Sequence, residues 1–302
     1  MLPFARVSII GMGLIGSSIA RAVRHHMPTV RLTAHDADPV VRARVEELGI
    51  VDDVTDTPGA AVIDADLVML CVPVGVIGAA GQAIAADLPA DAIVSDVGGA
   101  KLSVAEALRA ALPNAVIVPG HPVAGTEHSG PDAGFATLFH GRWCILTPDE
   151  NTPPAAVERV TAFWEKLGSH VEIMTARHHD LVLAVTSHVP HLIAYSIVGT
   201  ASDLEDVTQG EVIKYSAGGF RDFTRIAASD PTMWRDVFLN NKEAVLEILQ
   251  RLTEDVTALQ RAIRWGDGDT LFNLFTRTRA IRRSIIEQGQ DDARPDFGRT
   301  HE

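Results

Sequence analysis

An α/β fold, a parallel sheet with crossover helices leading into an all-α second half, is what this 302-residue sequence predicts. Three observations carry that reading. From Pro3 to about Pro148, short β-rich apolar runs alternate with helical segments, the pattern of strands joined by crossover helices. One of the turns between them is glycine-rich, directly after an apolar run and directly before a helical one. After Ala176 the strands disappear and apolar residues recur at spacings of three and four.

Taken in order, the expected strands are "RVSIIG", "RLTAHD", "ADLVMLCVP", "DAIVSDVG", "NAVIVPG" and "RWCILTP". A helix is expected over "DENTPPAAVERVTAFWEKLG", with proline marking its start and glycine its stop, and "HVEIMT" adds one last strand. The first domain therefore closes near residue 175, a helical domain spans 176–290, and 291–302 is a poorly tethered tail. Within the helical part, Val245, Ile248, Leu249, Leu252, Val256, Leu259 and Ile263 form one apolar stripe of helical period. It packs against neighbouring helices; whether part of it meets a second subunit is open.

Composition narrows the function classes. A hydrophobic fraction of 46% with 22% charged residues suits a globular chain with well-formed cores. The net charge of −13 opposes binding to nucleic acid or to an anionic membrane surface. An anionic substrate would need specific basic residues to hold it against that field. The N-terminal apolar run is broken by glycines and serines, so neither a secretory leader nor a membrane span is expected there, and a cytoplasmic location is. Cys71 and Cys144 read as buried thiols, without a disulfide, zinc or redox role.

"GMGLIGSS" gives the fold its type, a Rossmann-type nucleotide-binding domain. Gly11 permits the tight turn, Gly13 lets backbone approach a pyrophosphate, and Gly16 allows close helix–strand packing, with Leu14 and Ile15 opening the helix whose N-terminus faces the anion. Asp36, twenty residues past Gly16, ends the next strand, where a carboxylate accepts both ribose hydroxyls of NAD and repels the 2′-phosphate of NADP. NAD is favoured, with the reservation that Arg42 or Arg44 can swing toward a phosphate. Val72, Pro73 and Asp96 follow apolar strands at the same sheet edge and should line the nicotinamide half of the cofactor.

At that edge "HPVAGTEHSG" reads as a loop, with His121 placed as a base near the nicotinamide. A metal site of His121, Glu127 and His128 matches no familiar ligand spacing. His188 and His191, three apart on a helix interrupted by Pro190, share a face, so at least one can look into a cleft. In "SAGGFRDFTRIAASDPTMW", Asp222 can neutralise Arg221, which leaves Arg225 to grip a substrate carboxylate.

"GMGLIGSS", "HPVAGTEHSG", "SHVPH" and "GGFRDFTRIAASDPTMWRDVFLNNK" together resemble motifs of the prephenate and arogenate dehydrogenase (TyrA-type, cyclohexadienyl dehydrogenase) family, in family order from Val7 to about Ile286. The resemblance implies a nicotinamide-binding domain followed by an all-α dimerisation domain, hence a homodimer, with the active site between the two domains. It implies NAD-dependent oxidative decarboxylation of prephenate to 4-hydroxyphenylpyruvate, or of arogenate to tyrosine. On the matching positions, His121 polarises the substrate hydroxyl and Arg225 binds a substrate carboxylate. His191 lines the substrate side, Gly218 and Trp234 shape the pocket, and Thr126 and Glu127 support the base loop.

The sequence departs from the family pattern at "DVGGAK", where Gly99 replaces a serine that contacts the substrate hydroxyl. Water or a rearranged Ser95 would then replace that contact, or the substrate carries an amine at this carbon, as for 4-amino-4-deoxyprephenate dehydrogenases. Two other classes remain open: a β-hydroxyacid or imine-reducing oxidoreductase, which places a catalytic lysine in its helical half, and a non-catalytic NAD-binding regulator. A carboxylate such as Glu211 or Asp206 near the amine would favour arogenate over prephenate.

Overall fold

The computed structural model describes residues 2–126, 128–204, 214 and 218–287. Glu127, Asp206, Glu211 and the 291–302 tail lie outside the described residues. Met1–Leu246 forms one compact unit and Glu247–Glu302 a second.

In the first unit six parallel strands stand in the order β3-β2-β1-β4-β5-β6: β1 Arg6–Ile10, β2 Arg31–His35, β3 Asp53–Val54, β4 Leu67–Leu70, β5 Ile93–Asp96 and β6 Val116–Ile117. The order reverses between β1 and β4, the switch point where ligands of this architecture bind beyond the strands' carboxyl ends. β4 and β5 are buried along their whole length, as near-continuous apolar runs in a sheet covered on both faces should be. Helices α1 (Leu14–His26) and α6 (Pro154–Lys166) contribute to one apolar cluster, with Ile19, Val23, Phe163 and Trp164 fully buried. Helices α3 (Pro58–Val62), α4 (Ile77–Ile84) and α5 (Leu102–Ala111) build the other, which Trp234 and Val237 join from the helical half.

The sequence reading put "RWCILTP" and "HVEIMT" beside the parallel strands. The structure places them apart, in a three-stranded sheet β7-β8-β9: β7 Gly120–Pro122, β8 Trp143–Leu146 and β9 His170–Ile173. β7 runs antiparallel to β8, and His121 pairs with Ile145. The first residues of "HPVAGTEHSG" are thus strand rather than loop. The chain then returns to α1 and to α2 (Pro39–Leu48): Phe135 N–H donates to Ser18 Oγ at 3.2 Å, and Arg44 grips the Asp132 carboxylate.

Beyond β9, α7 (Ala176–Leu183), a π-helical turn over Ala184–His188 and α8 (Val189–Asp203) form one unbroken helical run. Pro190 does not interrupt the helix as the sequence reading held; the wider turn before it absorbs the missing N–H. The run Ala176–Asp203 has the length and hydropathy of a bilayer span. Its Asp180 carboxylate, however, accepts backbone N–H bonds from Lys101 and Leu102, which fastens α7 to the sheet domain rather than to lipid. Helices α9 (Gly218–Thr224) and α10 (Pro231–Asn240) complete the first unit, and α11 (Lys242–Trp265) begins in it.

The second unit holds most of α11 and all of α12 (Gly268–Glu287), joined by Gly266 in the left-handed region and by Asp267, whose carboxylate caps α12 through Thr270. The apolar stripe was expected to pack against neighbouring helices. In the single chain Val245 is buried and Ile248, Leu249, Leu252 and Leu259 are half-buried, while Val256 stays 54% exposed and Ile263 67%; Trp265 and Phe272 are also exposed, at 75% and 70%.

Candidate active site

The glycine turn sits where β1 meets α1. Gly11 has φ +97°, and a Cβ there would lie 2.5 Å from the Cys71 carbonyl oxygen, so only glycine fits. Gly16 packs the helix against the turn: its Cβ would lie 2.0 Å from Gly11 O. At Gly13 nothing lies within 4 Å, and no side chain caps α1, so the first N–H groups around Leu14 and Ile15 stay available to an anion. Val72 lies against Gly11, and the Pro73 carbonyl accepts from Val76 N–H to start the next turn.

Asp36 closes this cradle. One carboxylate oxygen accepts from Met12 N–H at 2.7 Å and the other from Asp38 N–H at 2.9 Å, leaving a lone pair on each. The first two arginines after Asp36 are committed elsewhere. Arg42 donates to the Asp36 carbonyl at 2.8 Å and pairs with Asp56. Arg44 holds Asp132 through two nitrogens and Glu47 through a third, which raises its pKa further.

Asp96 turns inward instead of toward the sheet edge. It is fully buried; one oxygen accepts from Gly98 N–H and from the Lys101 ammonium, the other from Gly120 N–H. The Lys101 ammonium, also fully buried, donates to Gly120 O at 2.6 Å. Burial pulls its pKa down while Asp96 opposes that pull. This pair fixes the "DVGGAK" turn against β7, the strand that carries His121. Ser95, also buried, points toward Gly120 and has no hydrogen-bond partner among the described residues.

His121 Nδ1 lies 2.8 Å from His179 Nε2, and His179 Nδ1 lies 2.9 Å from Asp180 Oδ1. The Nε2 edge of His121 faces the Gly99 turn. A side-chain carbon at position 99 would lie 3.7 Å from Nε2 and 3.6 Å from a Val237 methyl, ordinary contact distances. Burial, then His179, Lys101 and His188, holds the His121 imidazole well below its usual pKa, so it is neutral near pH 7.

The "SHVPH" histidines divide their tasks. His188 is buried, and its Nδ1 accepts from Asn241 Nδ2 at 3.0 Å. His191 Nδ1 donates to Ser187 O at 2.8 Å, and the ring stacks on Trp234 with centroids 3.6 Å apart. Arg225, exposed on a 3₁₀ turn after α9, is close enough for its charge to lower the His191 pKa after burial has done so first. Gly218, exposed, opens α9. Thr126 bonds only its own loop among the contacts described, accepting from His128 N–H.

Sequence reasoning missed Lys101, His179, Asp180 and Asn241. His179 and Asp180 are adjacent in a helix, where neighbours do not share a face, so no spacing announces them.

The buried histidines carry a pH prediction. His188 sits at about 4 and its neighbours are lowered too, whereas unfolded histidines bind protons near pH 6.5. Between those values the unfolded chain holds more protons, so stability falls as pH drops from about 6.5 toward 4. His188 alone should account for roughly 3 kcal/mol across that window. Urea unfolding at pH 7 and pH 5 checks this; equal midpoints would contradict it.

With the geometry described, likenesses to known proteins become informative. Residues 19–173 match the family model of the prephenate dehydrogenase nucleotide-binding domain, and 175–277 that of its dimerization domain. A cyclohexadienyl dehydrogenase of Zymomonas mobilis is 45% identical over 98% of this chain and 100% of its own length. A prephenate dehydrogenase of Bacillus subtilis is 32% identical over 92% of this chain and 76% of its own. The crystal structure of prephenate dehydrogenase from A. aeolicus in complex with hydroxyphenyl propionate and NAD⁺ superposes with a TM-score of 0.87 at 33% identity, covering 94% of this chain and 98% of that one. This chain belongs to the prephenate dehydrogenase family.

Proposed function

We propose that the chain is an NAD-dependent dehydrogenase that oxidatively decarboxylates prephenate, arogenate or both, in tyrosine biosynthesis. The observation that carries the reading is His121: a neutral imidazole whose Nε2 faces the turn beyond β5, at the sheet edge that also carries the glycine cradle. The cradle fits a dinucleotide. Gly13 offers open space beside an uncapped helix start for the pyrophosphate, and Asp36 offers two lone pairs to the ribose hydroxyls. The same carboxylate repels a 2′-phosphate, and the committed Arg42 and Arg44 do not neutralise one, which supports NAD over NADP. NAD, when bound, supplies the acceptor for the hydride leaving the ring carbinol.

His121 Nε2 accepts the hydrogen bond of the substrate hydroxyl and stabilises the positive charge that grows on it as hydride departs. The ring carboxylate then leaves as carbon dioxide, its bonding pair completing the aromatic ring. The proton shared with His121 stays with the phenol oxygen, so no net proton is released. Arg225 holds a substrate carboxylate in place against the protein's overall charge of −13. His191 and Trp234 wall the same pocket, Gly218 borders it, and Thr126 with Glu127 supports the loop after His121. On this reading Val72 and Pro73 border the cofactor, and Asp96 acts through the Lys101 pair rather than by contact.

Arg225→Ala should raise KM for the cyclohexadienyl acid by about 10- to 100-fold, the loss of a charge-assisted hydrogen bond. An unchanged KM removes Arg225 from the site.

The assembly is proposed as a homodimer, with the substrate and dimer contacts assigned to 176–290 and the nucleotide to 1–175. The open apolar positions Val256, Ile263, Trp265 and Phe272 support it. A diffusible small-molecule substrate and NAD suit a cytoplasmic enzyme with no membrane or nucleic-acid partner.

One observation favours a second reading. Gly99 presents no hydroxyl opposite His121, so a ring amine, as in 4-amino-4-deoxyprephenate, is also compatible. Steady-state NADH formation with prephenate, arogenate, 4-amino-4-deoxyprephenate and simple hydroxyacids separates these readings. Turnover of the hydroxyacids alone overturns the proposal, and no turnover at all favours a non-catalytic NAD-binding regulator.

A further inference from the structure

Two neighbouring side chains of α7, His179 and Asp180, stand end to end behind His121 of β7. The Asp180 carboxylate is held by the start of α5: Oδ1 accepts from Lys101 N–H at 2.7 Å and Oδ2 from Leu102 N–H at 3.0 Å. Two backbone donors cannot reverse their direction, so this carboxyl group is fixed as an acceptor. Oδ1 also meets His179 Nδ1 at 2.9 Å, so His179 carries its proton on Nδ1. Burial keeps the His179 ring neutral, which leaves Nε2 bare. That bare nitrogen is 2.8 Å from His121 Nδ1, and only a proton on His121 can complete the bond.

We infer that Asp180 and His179 act as positioning residues that lock His121 in the Nδ1–H tautomer, leaving its Nε2 lone pair directed at the substrate hydroxyl. The inference deepens the proposed function and rests on it for the identity of the hydroxyl, although the tautomer itself does not. The logic is that of a carboxylate orienting a catalytic imidazole through its far nitrogen, here extended by one ring. The wrong tautomer would point N–H at the substrate, and a donor there opposes the charge that develops as hydride leaves.

The surroundings are built to hold this chain of bonds. Asn241 Nδ2 donates to the Asp180 carbonyl at 2.8 Å and to His188 Nδ1, joining α7, the π-helical turn and the residue before α11. His179 is fully buried, and so is the Lys101–Asp96 pair beside it. The titratable and charged groups facing His121 are therefore His179, His188 and Lys101, with Asp180 and Asp96 one group further off.

Two measurements test the inference. Nitrogen-15 correlation spectra of the histidine rings near pH 7, assigned with His121→Asn and His179→Gln, should show His121 protonated at Nδ1 and bare at Nε2. A proton on Nε2 overturns the inference whatever the substrate proves to be. In kinetics, His179→Leu removes the acceptor and should lower kcat by about 100-fold, with KM for NAD unchanged. His179→Gln places an amide oxygen near the former Nε2, restores acceptance from His121, and should stay within about fivefold of wild type. Equal loss in both variants means a merely structural role and overturns it. If His179→Leu fails to fold, the wild-type spectrum and the His179→Gln rate still decide. Should no cyclohexadienyl acid be turned over, the proposed function fails while the spectrum still tests the tautomer.

Discussion

His121→Asn should lower kcat by about three orders of magnitude, close to 4 kcal/mol of transition-state stabilisation, while leaving NAD affinity within about twofold. Asparagine is the informative replacement. Its amide nitrogen takes roughly the place of Nδ1 and can still donate to His179, so the chain of bonds behind the base survives. What disappears is Nε2, the atom facing the Gly99 turn. The effect should be severe because Gly99 supplies no second hydroxyl. Cofactor titration by tryptophan quenching separates binding from chemistry. A variant that keeps a tenth of wild-type kcat would show that the hydroxyl does not depend on His121.

Lys101→Met should destabilise the fold by about 3–5 kcal/mol, because it strands the fully buried Asp96 carboxylate without its cationic partner. Gly98 and Gly120 N–H groups still reach Asp96, but two neutral donors do not replace an ammonium. The double variant Asp96→Asn/Lys101→Met removes the charge along with its partner and should recover much of that loss. Urea midpoints of the two single variants and the double form the cycle. A Lys101→Met protein within about 0.5 kcal/mol of wild type would mean that the pair contributes little.

Much of this architecture was legible because the relevant signals are local. Five of the six parallel strands announce themselves as β-rich runs, whereas β3, only Asp53–Val54, does not; the Gly11–Gly13–Gly16 spacing names the turn that ends the first. The separate β7-β8-β9 sheet was not legible. Its pairing depends on strands of three and four residues set far apart in sequence, and "RWCILTP" looks the same in either sheet. For the same reason His121 read as a loop residue when it sits on β7. Asp96 looked like a cofactor contact because it ends a strand at the ligand edge, yet the buried ammonium of Lys101, five residues on, draws it inward. The apolar stripe of α11 was correct as a pattern and incomplete as a location: periodicity says that a face is apolar, not which surface covers it.

Hydride loss from a cyclohexadienyl carbinol should be coupled to decarboxylation in one turnover. The most direct test is the product balance of one reaction containing wild-type protein, NAD and prephenate, with arogenate in parallel. NADH, carbon dioxide and 4-hydroxyphenylpyruvate should form in equal amounts from prephenate, or NADH, carbon dioxide and tyrosine from arogenate. NADH formed without carbon dioxide, or no NADH from either acid, would contradict it.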